Sequence, residues 1–565
     1  MKCLQVVLFI LLFEGIACCQ VVNLGEQYIQ EWKDFYPSKA LKQGMHASIF
    51  EYENLSRTAI KEWVAFNRRM QAQLKNAISP YVLQQPIDAR LLRNQIAQEL
   101  EKWELEQVQY HSLPLYTDLI NKALKEVTTA DFLTQKDREV LVFQRLLAMQ
   151  ELCLVAQHNL KSISKKELER ETSKLQATIA FLQQTPNGIQ SACKKCKEQS
   201  NSVADKIELL IEYLRKLPTE DDTALLGTSN YNRKLALYTD SQLNSKALSE
   251  LALTEIQTVK KIIGEVSIAY FKKMYPTQTL PADTAKVIAI AFDDMEKDAP
   301  KNGADYLAFW QELSEAAIQF IEEEQIATLP KFQTLQILPA PESAGPAARI
   351  GWVASAPPFA PNPLTTLYLP SIPDILPQQE QIDFWSSFNK PFNRMIVIHE
   401  LFPGHYMQIK ISRATPHRVR LLFPYAPYFE GYATFAERVC LDKGWEKNNP
   451  LTFLAHLRKR LENANRAYTS VQVHCKDWTQ EQVMDFSTKT SLLAPQFAKS
   501  LWGRIMRSPM QLTSYFWGGQ QFAKLLEREQ VRLGDQFILK DFMDTILKAG
   551  AIPIDEFDTL MMVKK

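Results

Sequence analysis

The segment around His399 holds two histidines and a glutamate at a spacing that could bind and activate a metal ion. Glu400 follows His399 directly, and a second histidine, His405, comes six residues after the first. In the His-Glu-x-x-His pattern of zinc peptidases, the two histidines lie one helical turn apart and the glutamate acts as general base. Over a separation of six positions, a straight helix would turn by about 600° and leave the two imidazoles about 120° apart.

Pro403 and Gly404 lie between the two histidines and could absorb the two extra residues. Proline interrupts the hydrogen-bond ladder of a helix, and glycine tolerates backbone conformations that other residues avoid. We therefore predict a local break in the helix that returns His405 to the face of His399. The two imidazoles would then hold one divalent ion, which we take to be one Zn²⁺ per chain.

A carboxylate would complete the three protein ligands of an open zinc site, in which water takes the fourth position. Glu430 and Glu437 are the candidates, seven residues apart on one predicted helix. They share nearly the same face but lie about 10 Å apart along the axis, too far for both to bind one ion. We predict that Glu430 is the ligand and that Glu437 orients a ligand histidine. The alternative assigns Glu437 as ligand and Glu430 as its partner.

In such a site the ion and Glu400 would have different roles in the hydrolysis of an amide bond. The ion, held by His399, His405 and Glu430, would polarise the scissile carbonyl and lower the pKa of a water molecule toward about 7. Glu400 would take the proton of that water and deliver it to the leaving amine.

The remaining chain must supply the helices that position these residues. Between about residues 24 and 328, apolar side chains recur at three- and four-residue spacing, which predicts a series of amphipathic helices. Ten of the 29 prolines fall within residues 338–377 and exclude helix there. Residues 348–353 and 365–369 have strand-like composition, and we expect them to pair antiparallel. The predicted fold class is mostly α, with a small antiparallel β-sheet next to the metal-binding helix.

These patterns divide the chain into four parts. We predict a signal peptide at 1–19, a helical N-terminal part at 20–337, a Pro-rich segment with short strands at 338–378, and a metal-binding helical part at 379–565. Residues 20–565 are expected to form one continuous catalytic unit.

The first residues have the pattern of a secretory signal peptide. Lys2 precedes an apolar run, and the small residues Gly15 and Ala17 follow it. Cys18 comes next and could instead carry the lipid of a bacterial lipoprotein. No later segment is apolar enough to span a bilayer, so we expect no transmembrane helix. The protein is expected to be secreted or periplasmic, either free or held by an N-terminal lipid anchor.

Composition excludes several other classes of function. The 65 Lys and Arg residues balance 64 Asp and Glu residues, which disfavours a nucleic-acid-binding surface. Glycine occurs only 17 times, and the chain contains no glycine-rich phosphate-binding motif. Cys193 and Cys196 are interpreted as an incidental pair or a local disulfide rather than as a redox or zinc motif.

At these residues the chain resembles the bacterial family known as domain of unknown function 885. Its members carry His-Glu-x-x-Pro-Gly-His followed by Glu-Gly-Trp-Ala-x-Tyr-x-Glu. Tyr432 stands where tryptophan is usual and Phe435 where tyrosine is usual, so both positions keep an aromatic ring. The matching residues are His399, Glu400, Pro403, Gly404 and His405, then Glu430, Gly431, Ala433 and Glu437.

The family is zincin-like and similar in its helical build to carboxypeptidase Taq and the oligopeptidases. The resemblance implies a mostly α metallopeptidase fold, in which the small sheet supplies an edge strand where an extended peptide can dock. It further implies zinc-dependent hydrolysis of peptide bonds in short or unfolded peptides. The alternative is a non-catalytic helical binding lipoprotein that retains the peptidase fold.

Two later segments are also similar to family patterns, one beginning at His474 and one running from Arg504 to Tyr515. The resemblance implies that Tyr515 and His474 could each donate a hydrogen bond to the developing oxyanion. It implies that Arg504 could orient substrate or a neighbouring carboxylate. Packing or helix capping is the alternative role for all three residues.

Overall fold

The structure is a computed structural model that describes residues 24–76, 84–130, 132–183, 193, 196–220, 225–331, 334–361, 364–373 and 375–563. Its internal contacts divide the chain into two compact units, one up to residue 224 and the other from residue 225 onward. The predicted signal peptide, including Cys18, lies outside the described residues. That residues 20–565 act as one catalytic unit stays a prediction.

The first unit is built of helices, as the apolar periodicity predicts. In α8, for example, Ile207, Leu210 and Leu214 lie on one stripe and are fully buried. Cys193 and Cys196 form a local disulfide just before that helix. The helices are α1 (24–35), α2 (Pro37–Lys42), α3 (Arg57–Asn76), α4 (Gln84–Leu100), α5 (Pro114–Thr128), α6 (Gln135–Asn159), α7 (Lys165–Gln183) and α8 (Lys197–Leu214).

Shorter elements connect the helices of the first unit. Strands β1 (Ile163–Ser164) and β2 (Thr219–Glu220) pair parallel over two residues each. The 3₁₀ helices are His46–Phe50 and Val108–Tyr110, and Glu101–Leu105 is a π-helical turn.

The second unit contains every residue that the sequence assigned to the metal site. Its helices are α9 (Gly227–Thr239), α10 (Ser245–Met274), α11 (Thr284–Lys297), α12 (Gly303–Glu323), α13 (Gln378–Ser386), α14 (Lys390–Glu400), α15 (His405–Ser412), α16 (Arg418–Leu422), α17 (Ala426–Asp442), α18 (Pro450–Lys476), α19 (Gln480–Asp485), α20 (Pro495–Arg507), α21 (Gln511–Leu533), α22 (Leu539–Ala549) and α23 (Glu556–Val563). Phe486–Thr490 is a π-helical turn and Gly534–Gln536 a 3₁₀ helix. No helix in the described part of the chain is both long and apolar enough to cross a membrane.

A small three-stranded sheet precedes the metal-site helices, in the order β3 (Leu335–Pro339), β5 (Thr365–Leu369), β4 (Trp352–Ala354). The predicted antiparallel pair is confirmed, since β4 and β5 pair antiparallel. The sheet is mixed rather than purely antiparallel, because β3 adds to the other side of β5 in parallel register. Five residues were too few to separate β3 from the helical pattern around it. Strand β4 is left at an edge of the sheet.

The Pro-rich window also contains a 3₁₀ helix, Glu342–Arg349, which the sequence interpretation did not anticipate. Gly345 interrupts it with a φ of 57°, so each helical piece is only a turn or so long. Proline therefore excludes α-helix from this window but not a short 3₁₀ turn. The α-helical pattern resumes with α13.

The core of the second unit is centred on its two longest described helices, α10 and α18. Their facing side chains are buried together, and each one stabilises the fold by about 1.5–3 kcal/mol relative to exposure. This packing fixes the position of α18, which carries several polar side chains of the site described below. The facing residues include Ile256, Val259 and Ile263 of α10 with Leu457 and Leu461 of α18.

Helix α17 carries both candidate glutamates and crosses α21 at a pair of glycines. A Cβ atom on Gly431 would lie 2.5 Å from the Cα of Gly518, and one on Gly518 would lie 2.3 Å from the carbonyl oxygen of Pro427. Two backbones can approach this closely only where neither residue has a side chain. The contact therefore sets the distance between α17 and α21.

Replacing Gly431 by alanine is expected to lower the free energy of unfolding by about 1–3 kcal/mol, because the added methyl group overpacks the helix crossing. Gly303→Ala is the matched control, since the nearest atom to its added Cβ would be 3.9 Å away. Alanine favours helix over glycine by up to about 1 kcal/mol, so the control should be neutral or slightly more stable. Denaturant unfolding followed by circular dichroism measures both, and equal effects would argue against the close crossing.

Candidate metal centre

The break predicted between the two histidines is present. Helix α14 ends at Glu400, and α15 begins at His405. In the turn between them, a Cβ atom on Gly404 would lie 1.8 Å from the carbonyl oxygen of His399, so glycine is required at this position. The turn brings the two imidazoles together, with ring centroids 4.8 Å apart and planes at 84°.

His399, His405 and Glu430 converge on one point. The Nε2 atom of each histidine lies 3.4 Å from the same carboxylate oxygen, Oε2 of Glu430. One potential ligand atom from each residue lies within 4.8 Å of the others. Two imidazoles and one carboxylate are the donor set of an open catalytic zinc site, so the residues present fit a zinc ion.

A second layer of side chains orients the two imidazoles. Nδ1 of His399 lies 2.6 Å from Oε1 of Glu437, and the other oxygen of Glu437 lies 3.0 Å from Nδ1 of His456. Nδ1 of His405 lies 2.9 Å from Oε1 of Gln408. Because both acceptors favour a proton on Nδ1, they favour the tautomers in which Nε2 is the metal-binding nitrogen.

The electrostatics of this group suit a cation. Burial lowers the pKa of His399, but hydrogen bonds to Glu430 and Glu437 outweigh burial and raise that pKa to about 10. Burial raises the pKa of both glutamates, but their histidine partners outweigh it, so the pKa of Glu430 falls well below its usual range and that of Glu437 to about 2. Both carboxylates are therefore ionised at neutral pH and place two negative charges beside the imidazoles.

A cavity of about 420 Å³ opens beside the three residues, and both Glu400 and Tyr515 line it. The hydroxyl of Tyr515 accepts a hydrogen bond from Nε2 of Gln511 at 3.3 Å. Burial and the nearby charge of Glu430 raise the pKa of Tyr515, so its hydroxyl keeps its proton and can donate it in a hydrogen bond. Trp352 and Val353 of the edge strand β4 line the same cavity, which places the small sheet beside the metal-site helices.

The structure does not bring His474 to this cavity. Its side chain is only 2% exposed, and its ring lies at a tilt beside the ring of Tyr231. Its Nδ1 accepts a hydrogen bond from the backbone N–H of Leu226 at 3.4 Å, and its Nε2 lies 3.2 Å from the carbonyl oxygen of Ile505. Both ring nitrogens of His474 are engaged by backbone groups. This placement supports packing, the alternative role, and the oxyanion role suggested for His474 stays a prediction.

Arg504 lies in an adjoining cavity rather than beside the two histidines. It donates a hydrogen bond from Nη2 to Oε1 of Gln511 at 3.2 Å. Gln511 in turn donates to Tyr515, so Arg504 is connected to the metal-site cavity through one intervening side chain.

Sequence reasoning missed two residues of the second layer. The sequence motifs do not include His456, yet it shares Glu437 with His399. No local motif marks it, because the packing of α18 brings it to Glu437. Gln408 could have been found, since it lies three residues after His405 on the same helix face.

The comparisons with known proteins agree with the fold. A family model described as "Bacterial protein of unknown function (DUF885)" matches residues 37–561. A candidate lipoprotein of unknown function from Shewanella oneidensis has a similar structure, with a TM-score of 0.80 and 19% identity over 96% of this chain and 99% of that chain. A candidate lipoprotein from Colwellia psychrerythraea gives a TM-score of 0.72 and 17% identity over 96% and 98% of the two chains. No curated protein matches the chain.

Proposed function

The chain belongs to the DUF885 family, and we propose that it is a zinc-dependent metallopeptidase that hydrolyses short or unfolded peptides. The observation that carries the proposal is the convergence of His399, His405 and Glu430 at the wall of an open cavity that Glu400 also lines. A purely structural cluster of these residue types would have no need of an adjoining space for substrate.

In this proposal His399, His405 and Glu430 hold one zinc ion per chain, oriented by Glu437 and Gln408. When bound, zinc supplies Lewis-acid polarisation of the scissile carbonyl and lowers the pKa of water at the site. Glu400 takes a proton from the attacking water and delivers it to the leaving nitrogen. Tyr515 donates a hydrogen bond to the carbonyl oxygen as negative charge develops there.

The edge strand β4 supports a peptide as the substrate. An extended peptide can add to the open edge of a sheet through main-chain hydrogen bonds, which do not depend on its sequence. Because Trp352 and Val353 of β4 line the cavity, a peptide bound in this way would pass the metal site. Strand addition requires an extended chain, so short or unfolded peptides fit better than folded proteins.

The proposed setting is outside the cytoplasm, secreted or periplasmic, with Cys18 as the residue that could carry a lipid anchor. Support comes from the signal-like residues 1–19 and from two proteins of similar fold that are described as candidate lipoproteins. Mass spectrometry of the mature N-terminus tests this part of the proposal, since lipidation would leave a modified Cys18 as the first residue.

The proposal as a whole is tested by two measurements on the same protein sample. Elemental analysis of metal-replete protein should find about one zinc per chain, and mass spectrometry of a peptide library should find zinc-dependent cleavage products. A non-catalytic binding lipoprotein with the same fold needs neither. Stoichiometric zinc without cleavage of any peptide would favour that alternative.

The roles of Glu430 and Glu437 can be distinguished by how much the replacement of each weakens metal binding. Loss of an outer partner of a ligand histidine usually weakens metal binding by roughly 10- to 100-fold, so Glu437→Gln should fall in that range. Glu430→Gln removes a ligand and should weaken binding far more. Competition with a chromophoric chelator measures both, and the reverse ranking would transfer the ligand role to Glu437.

A further inference from the structure

A second cavity, of about 670 Å³, adjoins the metal-site cavity. The two cavities share part of their walls, so they form one continuous depression. The shared side chains are Ile350, Phe388, Phe392, Lys459 and Arg466. A substrate that reaches the metal site can therefore extend into the second cavity.

The second cavity is positively charged, although the whole chain is almost neutral at +1. Five basic and three acidic side chains line it. Two of these side chains, Arg458 and Glu296, form an ion pair at 3.4 Å, so their charges cancel. The excess positive charge therefore lies among the remaining basic residues, two of which, Lys459 and Arg466, also line the metal-site cavity.

At the junction of the two cavities Lys459 and Arg466 both contact one carboxylate, Glu462, and the charge of Arg504, which lines the second cavity, also acts on it. Nζ of Lys459 lies 3.3 Å from Oε2 of Glu462, and the guanidinium of Arg466 contacts the other oxygen. Burial raises the pKa of Glu462, but the charges of Arg466, Lys459 and Arg504 outweigh it and lower the pKa to about 2. One negative charge offsets only one of the three cations, so the cluster has an excess of about two positive charges.

Arg466 and Arg504 are both connected to Tyr515, the proposed oxyanion donor. The guanidinium of Arg466, a residue only 8% exposed, lies 5.0 Å from the centroid of the Tyr515 ring. Arg504 reaches the same tyrosine through Gln511. A negatively charged group bound by this cluster would therefore lie next to the proposed oxyanion donor.

We propose that Lys459, Arg466 and Arg504 form a subsite that receives a carboxylate of the peptide substrate. This inference rests on the proposed peptidase function and adds the class of substrate. Arginine pairs with carboxylates through two parallel hydrogen bonds, and Phe388 and Phe392 provide apolar contact for the neighbouring side chain. The carboxylate is either the C-terminus of the peptide or an acidic side chain, since both present the same chemistry.

The test compares peptide pairs on wild-type protein and on Arg504→Gln. One pair differs in a free or amidated C-terminus, and a second, with amidated ends, differs in an internal glutamate or glutamine. Arg507→Gln is the matched control, because Arg507 lies on the same helix, is exposed and does not line the cavity. The readouts are kcat/KM for cleavage and, with a slow Glu400→Gln background, Kd for peptide binding by calorimetry.

Wild type should prefer the charged member of at least one pair by roughly 10- to 100-fold, the usual value of a hydrogen bond to a charged group. Arg504→Gln should remove most of that preference, and Arg507→Gln should retain it. A preference in the first pair identifies the C-terminus, and one in the second pair identifies an acidic side chain. Cleavage without preference in either pair would contradict the proposed subsite but not the proposed peptidase function.

The binding readout separates this inference from the proposed function. If no peptide is cleaved but Arg504-dependent binding of a charged peptide persists, the result supports the proposed subsite and contradicts the proposed peptidase function. If the charged peptides bind equally well to wild type and Arg504→Gln, the carboxylate is held elsewhere, for instance by the metal itself, and the subsite is overturned.

Discussion

Replacing His405 by alanine is expected to remove the zinc ion from the protein. Only three side chains supply the proposed ligands, so loss of one leaves two, which is too few for a tight site. The same result is expected for His399→Ala. Elemental analysis after dialysis against a weak chelator measures the loss, with wild type retaining about one zinc per chain.

The two histidine variants differ in a way that the structure makes testable. His399→Ala leaves buried Glu437, which is 1% exposed, with only one of its two histidine partners, and a buried charge that loses a partner also destabilises the fold. His405 contacts Gln408 instead, so His405→Ala should lose metal with less effect on the thermal stability of the metal-free protein.

His417→Ala is the control for both variants, because His417 lies at the start of α16 and outside the three-residue group. It should keep its zinc. If both ligand variants retained zinc at the wild-type level, the metal site proposed from His399, His405 and Glu430 would be wrong.

The break between the two histidines and the different reach of the two glutamates could be predicted from the sequence, because both depend only on residues close together along the chain. The break between His399 and His405 follows from Pro403 and Gly404, which lie within the same ten residues, and helix geometry alone separates the reach of Glu430 from that of Glu437. Each of these inferences uses only backbone rules that hold within one or two helical turns.

The remaining parts depend on contacts between distant elements, which no short pattern encodes. His456 reaches Glu437 because α18 packs on α10 in the core, and Arg466 faces Tyr515 for the same reason. His474 shows the same dependence: its family-like pattern suggested chemistry, while in the fold the backbone groups of Leu226 and Ile505 engage both of its ring nitrogens. A residue's type and neighbours along the chain do not disclose which polar groups tertiary packing brings to it.

The parallel strand β3 was missed for a related reason. A short apolar run does not tell whether it forms a strand or a turn of helix, and parallel pairing joins residues far apart in sequence. Leu335 pairs with Thr365, thirty residues later, across more than half of the Pro-rich segment. The antiparallel pair of β4 and β5 could be predicted because a shorter loop joins two recognisable strands.

Glu400→Gln is expected to abolish most peptide hydrolysis while leaving the zinc in place. Glutamine keeps the shape and hydrogen-bonding capacity of glutamate but cannot accept a proton from water. Hydrolysis should therefore fall by roughly 10²- to 10⁴-fold, the usual value of general acid–base catalysis. Because Glu400 lines the cavity but does not belong to the three-residue ligand group, zinc stoichiometry should equal that of wild type.

The result separates catalysis from metal binding, provided that rates are compared at equal metal occupancy. Glu380→Gln is a matched control, because Glu380 is an exposed glutamate on α13 and does not line either cavity. It should change neither zinc content nor turnover. Near-wild-type turnover in Glu400→Gln would show that another group accepts the proton, which would overturn the mechanism even with the zinc site in place. A parallel loss of zinc and activity would instead make Glu400 a residue that supports the metal, and the general base would have to be sought elsewhere along the cavity.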